Sequence, residues 1–287
     1  MSRAYRLKQG EPVPEGIARI ARGRIDHAIE ALGEATEEGV HEARKDMKKL
    51  RALLRLVRGD IGEKTFRRES DFFRDAAREL SGVRDADVMV ATLADLESRY
   101  EADEADTGPI RQRLEARRLQ TAGGGRHEAA RTVVAMLGEA RARVGDWPLE
   151  RDGFEPFEDG LRRTYRRGRR DWRAALKEPS TENLHEWRKR AKDLWYHCLL
   201  LQESWKPVMR ALADEAHELS DRLGDDHDLA VLLEFGAEPL EGLIASRRQE
   251  LQQEAFAYGA RLYADKPKAY VRRIEHWSRP VLIPSSR

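Results

Sequence analysis

The sequence predicts an all-α protein assembled from two related halves. Apolar residues recur at three- and four-residue spacing along nearly the whole chain, and alternating β-branched stretches are missing. Ala, Leu, Arg and Glu, all good helix formers, dominate the composition. The third observation is a helix that occurs twice. VHEARKDMKKLRALLRLVR runs from Val40 to Arg58, and LHEWRKRAKDLWYHCLLLQ runs from Leu184 to Gln202.

Breakers divide the chain into its helices. GEPVPEG precedes the first, GEAT separates the first two, and Gly59-Asp60 with Gly62 ends the second. LSGVRD follows the third, EADTGP the fourth, and TAGGGR interrupts the next. VGDWPLERDGFEPF, from Val144 to Phe157, is the strongest boundary, with two prolines and two glycines near the middle of the chain. Beyond it the helical pattern restarts, with breaks expected at KEPST, ESWKP and LGDDHD.

That restart keeps a register. Adding 144 carries Gly16 to Gly160, Arg19 to Arg163, Arg22 to Arg166 and Leu32 to Leu176 without a gap. The same shift carries His41 to His185, Arg44 to Arg188, Lys45 to Lys189 and Lys48 to Lys192. One deletion later, at a shift of 143, LSGVRDADV lies over LGDDHDLAV and pairs Asp85 with Asp228. A register that holds through helix, turn and helix reads as an internal duplication of a helical unit of about 140 residues.

Composition narrows the functional classes. Charged residues make up 37% of the chain, yet the formal net charge is only +1, so any cationic surface must come from sorting charges onto separate faces. A single cysteine, Cys198, leaves no internal disulfide and fits a reducing compartment. No apolar run resembles a signal peptide or approaches the roughly 18 residues of a membrane span, so a cytoplasmic protein without a membrane partner is expected.

The repeated helix does sort its charges. With about 100° per residue and His41 at zero, Arg44, Lys45, Lys48, Arg51 and Arg55 fall within about 80° of it. Ala43, Met47, Leu50, Leu54 and Val57 gather opposite, on a face suited to a bundle core. The second copy keeps His185, Arg188, Lys189 and Lys192 on the polar face, while Trp195 and Leu199 replace Arg51 and Arg55. In the preceding helices Arg19 and Arg22, and then Arg163, Arg166, Arg167 and Arg170, occupy equivalent sides. Few acidic residues stand at i+4 to neutralise them.

One such stripe is ordinarily a wet surface; its repetition position by position is what suggests use. Guanidinium groups grip phosphate oxygens through paired hydrogen bonds, and lysines add compact charge. Two matched faces lining one groove would suit an extended, repeating anion. No phosphate loop of the GxxxxGK[ST] kind is present.

The doubled His-x-x-Arg-Lys-x-x-Lys pattern resembles the two signature helices of the CHAD family, the conserved-histidine α-helical domain. VRDADV and HDLAV are similar to its downstream Asp-containing motif. The resemblance spans roughly residues 15 to 275 and implies one domain over residues 1–287, with halves at 12–146 and 154–278. It further implies two pseudo-twofold-related four-helix bundles enclosing a basic central cavity that binds inorganic polyphosphate, with no catalysis, metal or cofactor. The family's histidine falls on His41 and His185, and its basic positions on Arg44, Lys45, Lys48, Arg188, Lys189 and Lys192. The first-helix arginines fall on Arg19, Arg22, Arg163 and Arg166. Association with polyphosphate granules would follow. His227 stands where the first half has Arg84, so a symmetric role there is in doubt.

Two other readings compete. DDHDLAVLL, with His185 and His217 elsewhere, could supply a metal-dependent phosphohydrolase, although the register gives Arg84-Asp85 opposite His227-Asp228 and arginine ligates no metal. The shared Asp reads more simply as the N-cap of a helix or as a residue that orients a neighbouring base. Sequence-blind nucleic-acid binding could use RRTYRRGRR, but aromatic residues are only 7% of the chain and do not interleave the basic faces.

Overall fold

The computed structural model describes residues 5–80, 85–122 and 125–282, and among these every regular element is helical. The first half holds α1 (Val13–Ala31), α2 (Glu37–Leu56), α3 (Arg58–Glu79), α4 (Asp85–Tyr100), α5 (Glu104–Ala122) and α6 (Arg126–Arg143). The second holds α7 (Glu155–Lys177), α8 (Thr181–Leu200), α9 (Lys206–Glu234), α10 (Glu241–Leu262) and α11 (Pro267–Leu282). No described helix is long and apolar enough to cross a membrane.

Helix boundaries keep the sequence register where it matters most. α2 and α8 each run 20 residues and begin one residue after a hydroxyl cap. Thr36 Oγ1 accepts from Gly39 N at 3.1 Å, and Ser180 Oγ accepts from Asn183 N at 3.3 Å. Each such cap satisfies one free amide and contributes about 1 kcal/mol.

Two expected breaks fall elsewhere. LGDDHD does not interrupt the chain, because α9 runs unbroken from Lys206 to Glu234. Its aspartates do not compete for backbone amides: Asp226 is buried and held by Arg248 and Gln252, and Asp228 pairs with the His227 ring. Asp228 is therefore mid-helix and caps nothing. EADTGP also lies wholly inside α5, and the turn sits just before it, where Glu101 takes a φ of 47°. Arg84 lies outside the described residues, as does the Asp85 side chain.

Packing joins the halves instead of leaving two separate bundles. α1, α2, α3 and α6 pack on one another, as do α7, α8, α9 and α10, with α11 against α7. α7 then crosses α2 and α3, and Gly160 lets it approach closely, since a Cβ there would sit 1.9 Å from Leu56 O. One continuous apolar core extends from Val13 and Met47 to Trp187 and Ile274. The α4–α5 hairpin packs on α9 rather than on α1–α3. Its Met89, Leu93, Leu96, Ile110 and Leu114 form a second core with Leu229, Leu232, Ile244 and Leu251.

α2 and α8 meet near Ala52, whose carbonyl lies 2.9 Å from His197 Nε2 in a buried contact. A carbonyl only accepts, so Nε2 carries the proton, and Nδ1 is buried without a hydrogen-bond partner among the described residues. Burial lowers the His197 imidazole to about 4. The unfolded chain binds this proton below about pH 6.5 and the folded chain only below about pH 4. Stability is therefore complete above the first value and is lost as pH falls toward the second, by on the order of 3 kcal/mol. His197→Gln should flatten the acid limb of a urea-unfolding series run between those pH values. Parallel limbs for the two proteins would refute the assignment.

Candidate functional site

Beside this crossing lies a cleft of about 430 Å³. α2 contributes Lys48, Arg51 and Arg55, and α8 contributes His185, Glu186, Arg188, Lys189, Arg190, Lys192, Asp193 and Tyr196. Seven Lys or Arg side chains thus face two carboxylates, and the surplus exists although the chain is nearly neutral.

Asp193 is the carboxylate that makes the crowding tolerable. It is 5% exposed, accepts from Arg55 NH1 of the opposite half at 3.0 Å, and accepts from Arg190 NH1 at 2.9 Å. Asp193 relieves Arg51 only in part. Burial first, and then neighbouring Arg55, lower its guanidinium to about 10. Its Nε, like that of Arg188, is buried with no hydrogen-bond partner among the described residues. Burial also lowers Arg167, and Arg190 reinforces the shift.

His185 is held neutral in the same way. Burial, followed by Lys189, His227 and Arg188, lowers its imidazole to about 4. Its ring stacks on His227 with centroids 4.8 Å apart, and its buried Nδ1 has no hydrogen-bond partner among the described residues. His227 Nδ1 in turn lies 3.2 Å from Asp228 Oδ1. Among the described residues, no three His, Cys, Asp or Glu side chains are grouped to hold a metal ion.

The sixteen residues singled out by sequence do not share one groove. Lys48, Arg51, Arg55, His185, Arg188, Lys189 and Lys192 line the cleft, whereas His41, Arg44 and Lys45 do not. Arg44 donates to Leu80 O at the end of α3. Its counterpart Arg188 lies over Gly224 of the continuous α9, where a Cβ would come within 2.7 Å of the guanidinium.

The first-helix arginines depart further from the expectation of a shared groove. Arg19 and Arg22 line a larger groove of about 620 Å³ with Glu15, Asp26, Arg141 and Trp147. That groove is close to neutral, because Glu11 holds Arg19 and Asp26 holds Arg141. Arg163 and Arg166 face a recess with Asp159 and Arg162, and Arg170 is paired with Asp171.

Local neutralisation was also undercounted. The glutamate of each His-Glu pair sits three residues before a lysine, and Glu42–Lys45 and Glu186–Lys189 close at 2.7 and 2.5 Å. Arg190, Asp193 and Tyr196 were missed because the register hid them. Their counterparts are Asp46, Lys49 and Ala52, so both charges change sign between the halves. That sign exchange was the available signal.

Fold and cleft together define an all-helical domain with a cationic groove between α2 and α8. The family model of the CHAD domain matches residues 18–237, and the chain belongs to that family. The crystal structure of the CHAD domain from the plant Ricinus communis is similar, with 19% sequence identity, 94% of each chain covered and a TM-score of 0.55. At that identity the likeness speaks to the fold. No curated protein matches the sequence.

Removing one partner of a buried ion pair leaves an uncompensated charge, which costs about 3 kcal/mol or more. Asp193→Asn should therefore destabilise the protein by about that much in urea unfolding, and an added phosphate polyanion should restore part of the loss. A change below about 1 kcal/mol would mean that the Arg55–Asp193–Arg190 cluster is solvated.

Proposed function

We propose that this chain binds inorganic polyphosphate, without turnover, in the α2–α8 cleft. The observation that carries this reading is the surplus of mostly part-buried cations, with the Nε atoms of Arg51 and Arg188 buried and without a hydrogen-bond partner among the described residues. Crowded like charges raise the energy of the empty site, and an anion supplying several phosphate oxygens relieves it. Membership of the CHAD family adds to the reading. Residence in the cytoplasm, with association to polyphosphate granules, belongs to the same proposal.

The ligand must be a multiple anion. Orthophosphate brings at most two charges, while a chain of phosphates offers oxygens to both helices at once. Nucleic acid fits less well, because the cleft offers only Tyr196 and the His185 ring for stacking bases. Hydrolysis assisted by a divalent ion finds no grouped ligands among the described residues.

Binding isotherms against orthophosphate, triphosphate and longer linear polyphosphates should show affinity rising with length until the cleft is filled, unchanged by a chelator. Lys48→Ala with Lys192→Ala should weaken binding of long chains by roughly tenfold to hundredfold per residue. Saturating polyphosphate at about a hundred times its Kd should stabilise the wild type by about 2.7 kcal/mol. An unchanged melt with long polyphosphate would overturn the reading, and chelator-sensitive phosphate release would replace it with an enzyme.

Arg51 gives a sharper contrast. Arg51→Met keeps the stem and removes the buried, crowded charge. The apo melting temperature should hold or rise while polyphosphate affinity falls by roughly tenfold or more. A fall in both would make Arg51 a structural residue.

A further inference from the structure

Two imidazoles meet at the cleft. His185 lines it from α8, and His227 of α9 stacks on the His185 ring with centroids 4.8 Å apart and ring planes 28° from parallel. His227 Nδ1 lies 3.2 Å from Asp228 Oδ1. An ionised carboxylate only accepts, so that nitrogen carries a proton and Asp228 orients the His227 ring. His185 Nδ1 is buried, and the described residues supply it no hydrogen-bond partner. Charged groups surround the pair from each helix packed on α8. α8 itself gives Glu186, Arg188 and Lys189, and α2 gives Lys48, Arg51 and Arg55 across the cleft. α9 gives Asp228 with Asp225 and Asp221 near it, and α7 gives Arg167 near Arg190. Both carboxylates that line the cleft are already engaged, Glu186 by Lys189 and Asp193 by Arg55 and Arg190. The His185 ring therefore has no anionic partner among the described residues.

Resting on the reading that the cleft takes polyphosphate, we propose that binding is coupled to a proton: His185 takes one up as the polyanion enters, and His227 positions the ring that receives it. In the empty cleft an imidazolium at His185 would stand against Arg188, Lys189 and a second imidazole with no countercharge of its own. Phosphate oxygens supply the countercharge and accept from the new N–H. A ring that is neutral in the empty cleft then becomes an eighth cation beside the seven Lys and Arg side chains. Burial, followed by Lys189, His227 and Arg188, sets the empty-state value at about 4, and the polyanion raises it toward the ordinary histidine value of about 6.5. A group that holds its proton more tightly in the complex strengthens binding below its bound value and loses that contribution as pH rises through it. The grip therefore tightens as the surroundings acidify and loosens as they return to neutrality. The pair is built once: at the register position of His227 the first half carries Arg84, whose charge does not titrate.

Imidazole NMR reads this proton directly. The full chain with labelled histidines is titrated between about pH 5 and pH 8, alone and saturated with long linear polyphosphate, and His185 is assigned by through-bond correlation to its own backbone. Its ring should stay neutral across this window in the empty protein and titrate within it in the complex. Between about pH 7 and pH 5 the affinity gained by the wild type should exceed that gained by His185→Gln by roughly tenfold, because protonation of the polymer's own end groups is common to both. His227→Arg, which sets a permanent charge against the ring, should reduce the gain to that of His185→Gln. A His185 ring that stays neutral in the complex, or equal pH dependence of wild type and His185→Gln, overturns the inference while leaving polyphosphate binding intact. A full gain in His227→Arg overturns the part given to His227. Absence of binding at both pH values defeats the underlying reading itself.

Discussion

A carboxylate shared between two guanidinium groups holds this architecture in balance. Asp193 joins Arg190 of its own helix to Arg55 of the other half, and so fastens α8 to α2 at the depth where cations are most crowded. It also offsets part of the like charge around the nearby Arg51 and Arg167, both already lowered by burial. With it the halves can meet closely enough for Ala52 to accept from His197. The cleft exists because one anion is enough to hold the helices together and too few to neutralise them.

The all-helical fold and its restart near the middle were legible because periodicity and capping chemistry are local. Thr36 and Ser180 sit at the same point of the register and begin helices of equal length. The repeated basic positions His185, Arg188, Lys189 and Lys192 of α8, which line the cleft, were legible from the same local pattern, whereas Arg190, Asp193 and Tyr196 were not. Arg19 and Arg22 were misplaced because a helical wheel shows which side a residue faces, not what stands across from it. Here Glu11 and the Asp26–Arg141 pair stand there. The continuity of α9 was hidden as well. Gly224 and three aspartates look like a turn until Arg188, Arg248 and Gln252 are brought against them from other helices.

The two halves are unequal at the site. The first half supplies three cations to the cleft, and the second supplies four cations, a neutral histidine and both carboxylates. His185 has His227 stacked on it from α9, and the Asp46 cluster instead ties α2 back to Arg24 and His27 of α1. The groove is thus one-sided, with most of its lining side chains drawn from α8.

The hairpin of α4 and α5 carries a consequence for biosynthesis. Met89, Leu93, Leu96, Ile110 and Leu114 leave the ribosome long before Leu229, Leu232, Ile244 and Leu251, the residues that cover them. At roughly 5–20 residues per second, that greasy surface waits for on the order of ten seconds in the nascent chain. Chaperones that shield exposed apolar segments have their clearest opportunity in this interval, and the finished polypeptide must close across its own midpoint to end it.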